Sequence, residues 1–333
     1  GIYESYESKK FELIVVNDYS KDNTLKILKK LKKKHKFILI NNKNNFGKSK
    51  SVNKAFYKTK GEIIFIVDSD IKINKEVVKD ILSRFDSNPK VAAVGARYEN
   101  QNKNFISTMQ NLQINVLTMF NAAHNYFSAI GLSGGCFAIK RDAFEKAGLL
   151  TLNAISEDAD LALKLNKAGY KLEQSLYPVE DYTNHTIFSL YKQQLRWTTG
   201  QFQCFFKHYK TFMKNPIFNF FLILGIITLF AYILSNTLIK PIIFNLPFQI
   251  FNFYSKFFSV ENILIGIIIF PLFSIPYLMF GIKKFKKIYF HFLLIYPFSL
   301  IYIPFWIFMI IQGFFIGLYK HLTLKEDSIG WKG

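Results

Sequence analysis

Three long stretches in the C-terminal part of this chain carry almost no charge, and they limit what it can fold into. Segment 215–239 lies between Lys214 and Lys240, and segment 262–282 between Glu261 and Lys283; neither holds a charged residue. Segment 288–319 holds no Asp, Glu, Lys or Arg, has a single histidine, His291, and contains Pro297 and Pro304. About 20 apolar residues cross the hydrocarbon core of a bilayer, so each stretch is long enough. The alternative is a buried core helix, and three such lengths in a row weigh against it. The expected organisation is a soluble domain over 1–200, an interfacial connector over 201–214, a membrane region over 215–320 with about three spans, and a tail over 321–333. The third segment is long for one span. It reads as an interfacial helix followed by a span, or as two short spans. The run KKFKK at 283–287 lies between two spans and by the positive-inside bias marks a cytoplasmic loop. Two crossings then place residues 1–214 in the cytoplasm as well, in a multi-pass protein of the plasma membrane.

The formal net charge of +20 raises the question of nucleic acid. The lysines are mixed with many Asn, Ile and Phe, a pattern of AT-rich coding bias, and no nucleic-acid partner is expected. The run KKLKKKHK at 29–36 continues a helix whose apolar positions are Leu25, Leu28 and Leu31. It reads as a solvated helix end or as a weak attraction to anionic headgroups. The two cysteines, Cys136 and Cys204, have no metal or redox spacing and suggest no disulfide framework. No signal peptide is visible.

The first 200 residues alternate strands and helices. FELIVVND (11–18), KFILINN (36–42), EIIFIVDSD (62–70) and VAAVGAR (91–97) read as buried strands, separated by helical segments. That alternation predicts an α/β domain, a mostly parallel sheet with helices on both faces. Ligands of such sheets bind beyond the carboxyl ends of the strands, so chemistry is sought there.

Two strands end in acids, giving VNDYSKDNT and VDSD. Asp68 and Asp70 flank one residue, a pair that suits a hard divalent cation holding waters and phosphate oxygens, or else a simple pair of turn acids. In NNFGKSKSVN (44–53), Gly47 permits close backbone approach, and Lys48, Lys50 and the helix N-terminus favour an anion. An ordinary loop with solvated lysines fits as well. Gly134 and Gly135 in SGGCFAIKRDAF let a ligand lie against the backbone, or form a turn. ISEDADLALKLNKAGY (155–170) is an amphipathic helix with Ser156 as N-cap and Gly169 after its end. Glu157 and Asp158 in its first turn either complement the helix dipole or supply a general base. In YKQQLRW, one helical turn puts Gln193, Arg196 and Trp197 on one face, a polar and aromatic platform just ahead of the oily region.

Each motif alone is weak, but their order resembles the membrane-bound, processive-type family 2 glycosyltransferases. That group includes cellulose, hyaluronan, chitin and poly-N-acetylglucosamine synthases and related glycolipid-forming enzymes. The resemblance covers residues 11–200 closely and the membrane part loosely. It implies a GT-A, Rossmann-like domain using Mg2+ or Mn2+ at Asp68 and Asp70. It implies a UDP-sugar donor held by Asp18, Lys48, Asp68, Asp70, Gln193 and Arg196. Catalysis would belong to Asp158 with Glu157, and acceptor binding to Trp197, Gly134 and Gly135. The acceptor would be a growing polysaccharide or, by single addition, a lipid. Here Asn17 and Tyr19 replace the Asp and Gly that usually flank the matching Asp. The family's first strand normally precedes FELIVVND, so the resemblance also implies an N-terminal truncation and leaves room for a membrane partner subunit.

Overall fold

The computed structural model describes residues 11–102, 104–123, 131–152, 154–183, 186–214 and 303–323. The chain divides into two compact units, Gly1–His208 with Phe305–Gly333, and Tyr209–Pro304. The expected spans 215–239 and 262–282 lie outside the described residues, as does 288–302 of the third. Among the described residues no helix is long and apolar enough to cross a membrane.

Two short strands open the domain, β1 (Ile14–Asn17) and β2 (Ile38–Asn41), paired in parallel with Ile14 opposite Ile38 and Asn17 opposite Asn41. Helix α1 (Thr24–Lys32) connects them. The lysine-rich run at 29–36 falls at its exposed end and in the turn that follows, where its charges meet water. Helix α2 (Lys48–Phe56) leads to β3 (Ile63–Val67), followed by β4 (Ile71–Lys72), α3 (Lys75–Ser87), β5 (Val91–Asn100) and α4 (Phe105–Ala123). Then come β6 (Cys136–Lys140), α5 (Arg141–Lys146), α6 (Glu157–Lys167), β7 (Lys171–Asp181), α7 (Ile187–Phe212) and α8 (Ile303–Thr323).

The larger sheet has the strand order β3-β6-β5-β7-β4. Period-two alternation sorts its side chains onto two faces. Ile64, Ile66, Phe137 and Ile139 pack on one side with Phe144, Leu161 and Leu165 of α5 and α6. Cys136, Ala138, Val94 and Ala96 pack on the other with Val77, Ile81 and Phe85 of α3. Helices therefore cover both faces, as the alternation requires. Burying a side chain such as Phe137 or Phe144 contributes roughly 1.5–3 kcal/mol.

The expectation of a mostly parallel sheet is corrected. Among the described residues, only β1 with β2 and β5 with β7 are parallel. β6 runs antiparallel to both β3 and β5, and β4 antiparallel to β7. The reason is local. β6 starts beside the carboxyl end of β3, with Cys136 opposite Val67, so it can only run back along that strand. An apolar run shows the same alternation in either direction, and the sequence pattern carries no sign for it.

Helix α6 ends where Gly169 takes φ +82°, a left-handed position that caps a helix well only as glycine. Its start differs from expectation. Ser156 stands at the N-cap position but its side chain makes no capping hydrogen bond.

The last helix, α8, packs on α7 through missing side chains. A Cβ on Gly313 would fall 2.3 Å from Thr198 Oγ1, and one on Gly317 2.9 Å from Phe202 Cβ. Thr198 also donates to the Met309 carbonyl at 3.0 Å, and Tyr191 to Gln312 Oε1 at 3.1 Å.

Candidate active site

Strand β3 delivers its acids to the start of β6. The Asp68 N–H donates to the Gly135 carbonyl at 2.7 Å, which fixes the end of the strand against the glycine turn. Lys48, the first residue of α2, reaches into the same place. Its Nζ lies 2.8 Å from Asp68 Oδ1, 2.7 Å from the Gly134 carbonyl and 3.3 Å from Glu157 Oε1. Burial alone would lower the Lys48 pKa, but the Asp68 and Glu157 charges outweigh it and the net shift is upward. The ammonium therefore stays charged. Burial raises the Asp68 pKa, Lys48 opposes this, and Asp70 and Glu157 add to the rise.

Asp158 is half-buried in the cluster. Burial, then the neighbouring Glu157 charge, pushes its carboxyl up to about 6, against the Ala159 N–H and the Lys48 charge. Ala159 N–H donates to its Oδ1 at 2.8 Å. The other oxygen fills the space beside Gly134, where a Cβ would lie 2.3 Å from Asp158 Oδ2. A Cβ on Gly135 would lie 3.2 Å from Asp68 Oδ2 and 3.0 Å from Tyr98 Oη. The two glycines thus form a turn whose bare backbone admits protein side chains: two carboxylates and a phenol.

Tyr98 was not legible as a site residue. It is a single aromatic on an alternating strand, with no motif around it. Its hydroxyl accepts the Gly135 N–H and, at 2.8 Å, the Cys136 N–H. Burial, followed by the charges of Cys136, Asp158 and Asp68, raises its pKa well above the usual value and keeps the proton on. Tyr98→Phe takes this acceptor from the half-buried Gly135 N–H and leaves the buried Cys136 N–H with the Ser133 carbonyl at 3.2 Å. We expect it to destabilise the domain by about 1–3 kcal/mol, measurable by thermal unfolding.

Asp18 is held by the chain itself. Its Oδ1 accepts from Asn42 Nδ2 at 2.9 Å and the Phe46 N–H at 3.0 Å, and its Oδ2 from the Gly47 N–H at 2.7 Å. Burial would raise its pKa, but the hydrogen bonds, led by Phe46, outweigh that and lower it. The next residue, Tyr19, sits at φ +64°. A non-glycine residue there costs roughly 1–2 kcal/mol, which accounts for the glycine that the resembling family places here.

Asp70 is exposed and accepts a hydrogen bond from Thr183 Oγ1 at 3.2 Å on Oδ2. Among the described residues no cluster of three or more His, Cys, Asp or Glu is arranged to hold a metal. Mg2+ needs no such cage, being bound through one or two carboxylates together with waters and substrate phosphates. Asp68 and Asp70 are hard oxygen donors one residue apart at a strand end, and they fit that mode.

On α7, Gln193 Oε1 accepts from Gln110 Nε2 at 2.7 Å, and Gln194 exchanges two 3.0 Å bonds with Gln113. Trp197 is half-buried. Arg196 is exposed, with no ion pair to any described residue. One turn further, Gly200 meets Ser156, placing the platform one turn upstream of the start of α6. The structure therefore gathers Lys48, Asp68, Glu157, Asp158, Gly134 and Gly135 at one point. Asp18 joins them through the loop that leads into Lys48.

Residues 3–148 match the model of glycosyl transferase family 2. The family 2 glycosyltransferase domain is assigned to those residues, 3–148. A poly-beta-1,6-N-acetyl-D-glucosamine synthase of Staphylococcus aureus is 25% identical over 223 residues, 66% of this chain and 54% of its own length. The Staphylococcus epidermidis synthase of the same name is 25% identical over 256 residues, 74% of this chain and 60% of its own. The chain spans little more than half the length of these curated relatives. The glycosyltransferase domain also shares its fold with a mannosyltransferase from Pyrobaculum calidifontis solved with GDP-Man and Mn2+. The TM-score is 0.57 at 17% identity, covering 97% of this chain and 81% of that one.

Proposed function

We propose that this chain transfers a sugar from a UDP-sugar to a polysaccharide growing at the membrane, with inversion at the anomeric carbon. The observation that carries this is the half-buried Asp158 carboxyl, raised to about 6, beside the Lys48 ammonium and Asp68 at the end of β3. An acid in that range is a serviceable proton acceptor near neutral pH. In this reading Asp158 takes the proton of an acceptor hydroxyl, and that oxygen attacks the anomeric carbon as UDP leaves. Glu157 keeps the Asp158 pKa up and shares Lys48 with Asp68. Gln193 and Arg196 face the donor diphosphate, and Trp197 stacks beneath the acceptor sugar near the Gly134–Gly135 turn. Asp18 holds the loop at the nucleotide end. A divalent ion held by Asp68 and Asp70, when bound, supplies neutralisation of the diphosphate charge.

The likeness to poly-beta-1,6-N-acetyl-D-glucosamine synthases supports a polysaccharide acceptor and makes N-acetylglucosamine the first sugar to try. The oily region that follows supports a plasma-membrane enzyme with its catalytic domain on the cytoplasmic side, working alone or with a membrane subunit.

The test is transfer from radiolabelled UDP-sugars in membranes holding the protein, with Mg2+ or Mn2+ and sizing of the product. A long polymer from one donor establishes the reading. A single sugar in the lipid fraction replaces it with single addition to a lipid, and no transfer from any donor refutes it. The turnover rate should fall as pH drops through about 6, because the base works only when deprotonated and Asp158 gains its proton there. A flat profile from pH 5 to 8 would remove Asp158 from that role.

A further inference from the structure

Two residues beyond Asp158 lies a carboxylate that the transfer step does not use. Asp160 is 2% exposed. His208 Nε2 is 2.8 Å from its Oδ1 and Lys207 Nζ 3.2 Å from the same oxygen. The Thr151 hydroxyl donates to its Oδ2, and Lys164 Nζ stands 3.7 Å from that atom. Burial would raise its pKa. The bonds from His208 and Thr151 and the charges of Lys207 and Lys164 prevail and hold it far below the ordinary carboxylate range.

Lys207 and His208 belong to α7, the helix of Gln193, Arg196 and Trp197. They close a stripe of Gly200, Gln203, Cys204, Lys207 and His208, the three-and-four spacing of a single helix face. Its members all meet Ile155–Asp160. A Cβ on Gly200 would overlap the Ser156 hydroxyl at 2.1 Å. The Ile155 N–H donates to Gln203 Oε1 at 3.5 Å, and Cys204 Sγ lies 3.7 Å from the Ser156 carbonyl. α7 leaves helical geometry at His208 (φ −116°, ψ 23°), the residue whose ring meets Asp160.

The first turn of α6 needs such a hold. Ser156 gives it no side-chain cap, yet that turn carries Glu157, Asp158 and Asp160. A buried ion pair adds little net stability, and its best-attested use is to fix register. We propose that Asp160, gripped by Lys207 and His208, is a positioning residue that fixes the first turn of α6, and so Asp158, to the helix bearing Gln193, Arg196 and Trp197. The inference rests on the transfer reaction proposed above.

The test compares His208→Ala with His208→Gln in the full chain, since the Gln Nε2 can replace the imidazole N–H. The Ala variant should lose about tenfold in kcat, the scale of sub-ångström misplacement, with donor KM and UDP affinity within about twofold. The Gln variant should recover most of the loss. Hydrogen exchange over residues 157–161 should quicken in the Ala variant and not in the Gln variant. Unchanged kcat in His208→Ala overturns the proposal. So does an equal loss in both variants, or loss of UDP binding with faster exchange across β3, β5 and β6. If exchange behaves as stated but the unaltered protein transfers no sugar, the transfer reading falls. Asp160 is then a structural tie and no positioning residue for catalysis.

Discussion

Asp158→Asn should lower sugar transfer by about 10²–10⁴-fold, the usual contribution of a positioned general base. UDP affinity should stay within about twofold, since loss of a group that acts in the transition state lowers kcat and leaves ground-state binding. The amide is close in size to the carboxyl, so the Gly134 contact and the Ala159 N–H bond to Oδ1 both persist. What disappears is the group that can accept a proton. The measurement is initial-rate transfer beside UDP titration on the same membranes. Transfer at the unaltered rate would exclude Asp158 as the base and turn attention to Glu157, 3.3 Å from the Lys48 ammonium.

Gly134→Ala should be nearly as damaging to the reaction and only mildly so to the fold. The new methyl group would sit 2.3 Å from Asp158 Oδ2 and 2.9 Å from its Cγ, so one of the two must move. The atoms in the way belong to the end of a short side chain, which can turn aside at small cost. Turning aside removes the base from its place, and a displacement of about 1 Å can cost about 10²-fold in rate. We therefore expect a loss of about 10²-fold in kcat, with the thermal midpoint lowered by only a few degrees, about 1 kcal/mol for a domain of this size. Gly135→Ala makes a useful companion. Its Cβ meets Asp68 Oδ2 at 3.2 Å and Tyr98 Oη at 3.0 Å, so it presses on Asp68 and Tyr98 while sparing Asp158. Equal stability loss and equal rate loss in both variants would show that the turn matters only for folding.

Much of this site was legible because its residues sit where strand and helix boundaries put them. The apolar run IIFIV followed by DSD located Asp68 and Asp70 at a strand end. Glu157 and Asp158 were legible as first-turn acids of a helix with clear apolar periodicity. Strand direction was hidden, because β6 alternates the same way whether it runs with β3 or against it. Tyr98 was hidden too, since a tyrosine in a strand is ordinarily a packing residue. Only the pairing of β5 with β6 brings its hydroxyl under the Gly135 and Cys136 amides. Asp160 stood beside the expected acids but gave no sign of its own, because two of its partners, Lys207 and His208, lie far along the chain on α7, His208 48 residues away. Ser156 showed the opposite failure, since the right residue at the right position turned its hydroxyl to another helix.

The junction of Gly47 and Lys48 bears on how such an enzyme could be re-engineered. The Gly47 N–H binds Asp18, while the very next side chain binds Asp68 and Glu157. One peptide unit thus links the Asp18 loop to the acidic cluster. If the proposed roles hold, exchanging the 44–47 loop to accept a different nucleotide would pull on the lysine that balances Asp68 and Glu157. Donor preference and turnover should therefore change together in loop chimeras, and libraries that vary the loop should vary Lys48 and its partners in the same step.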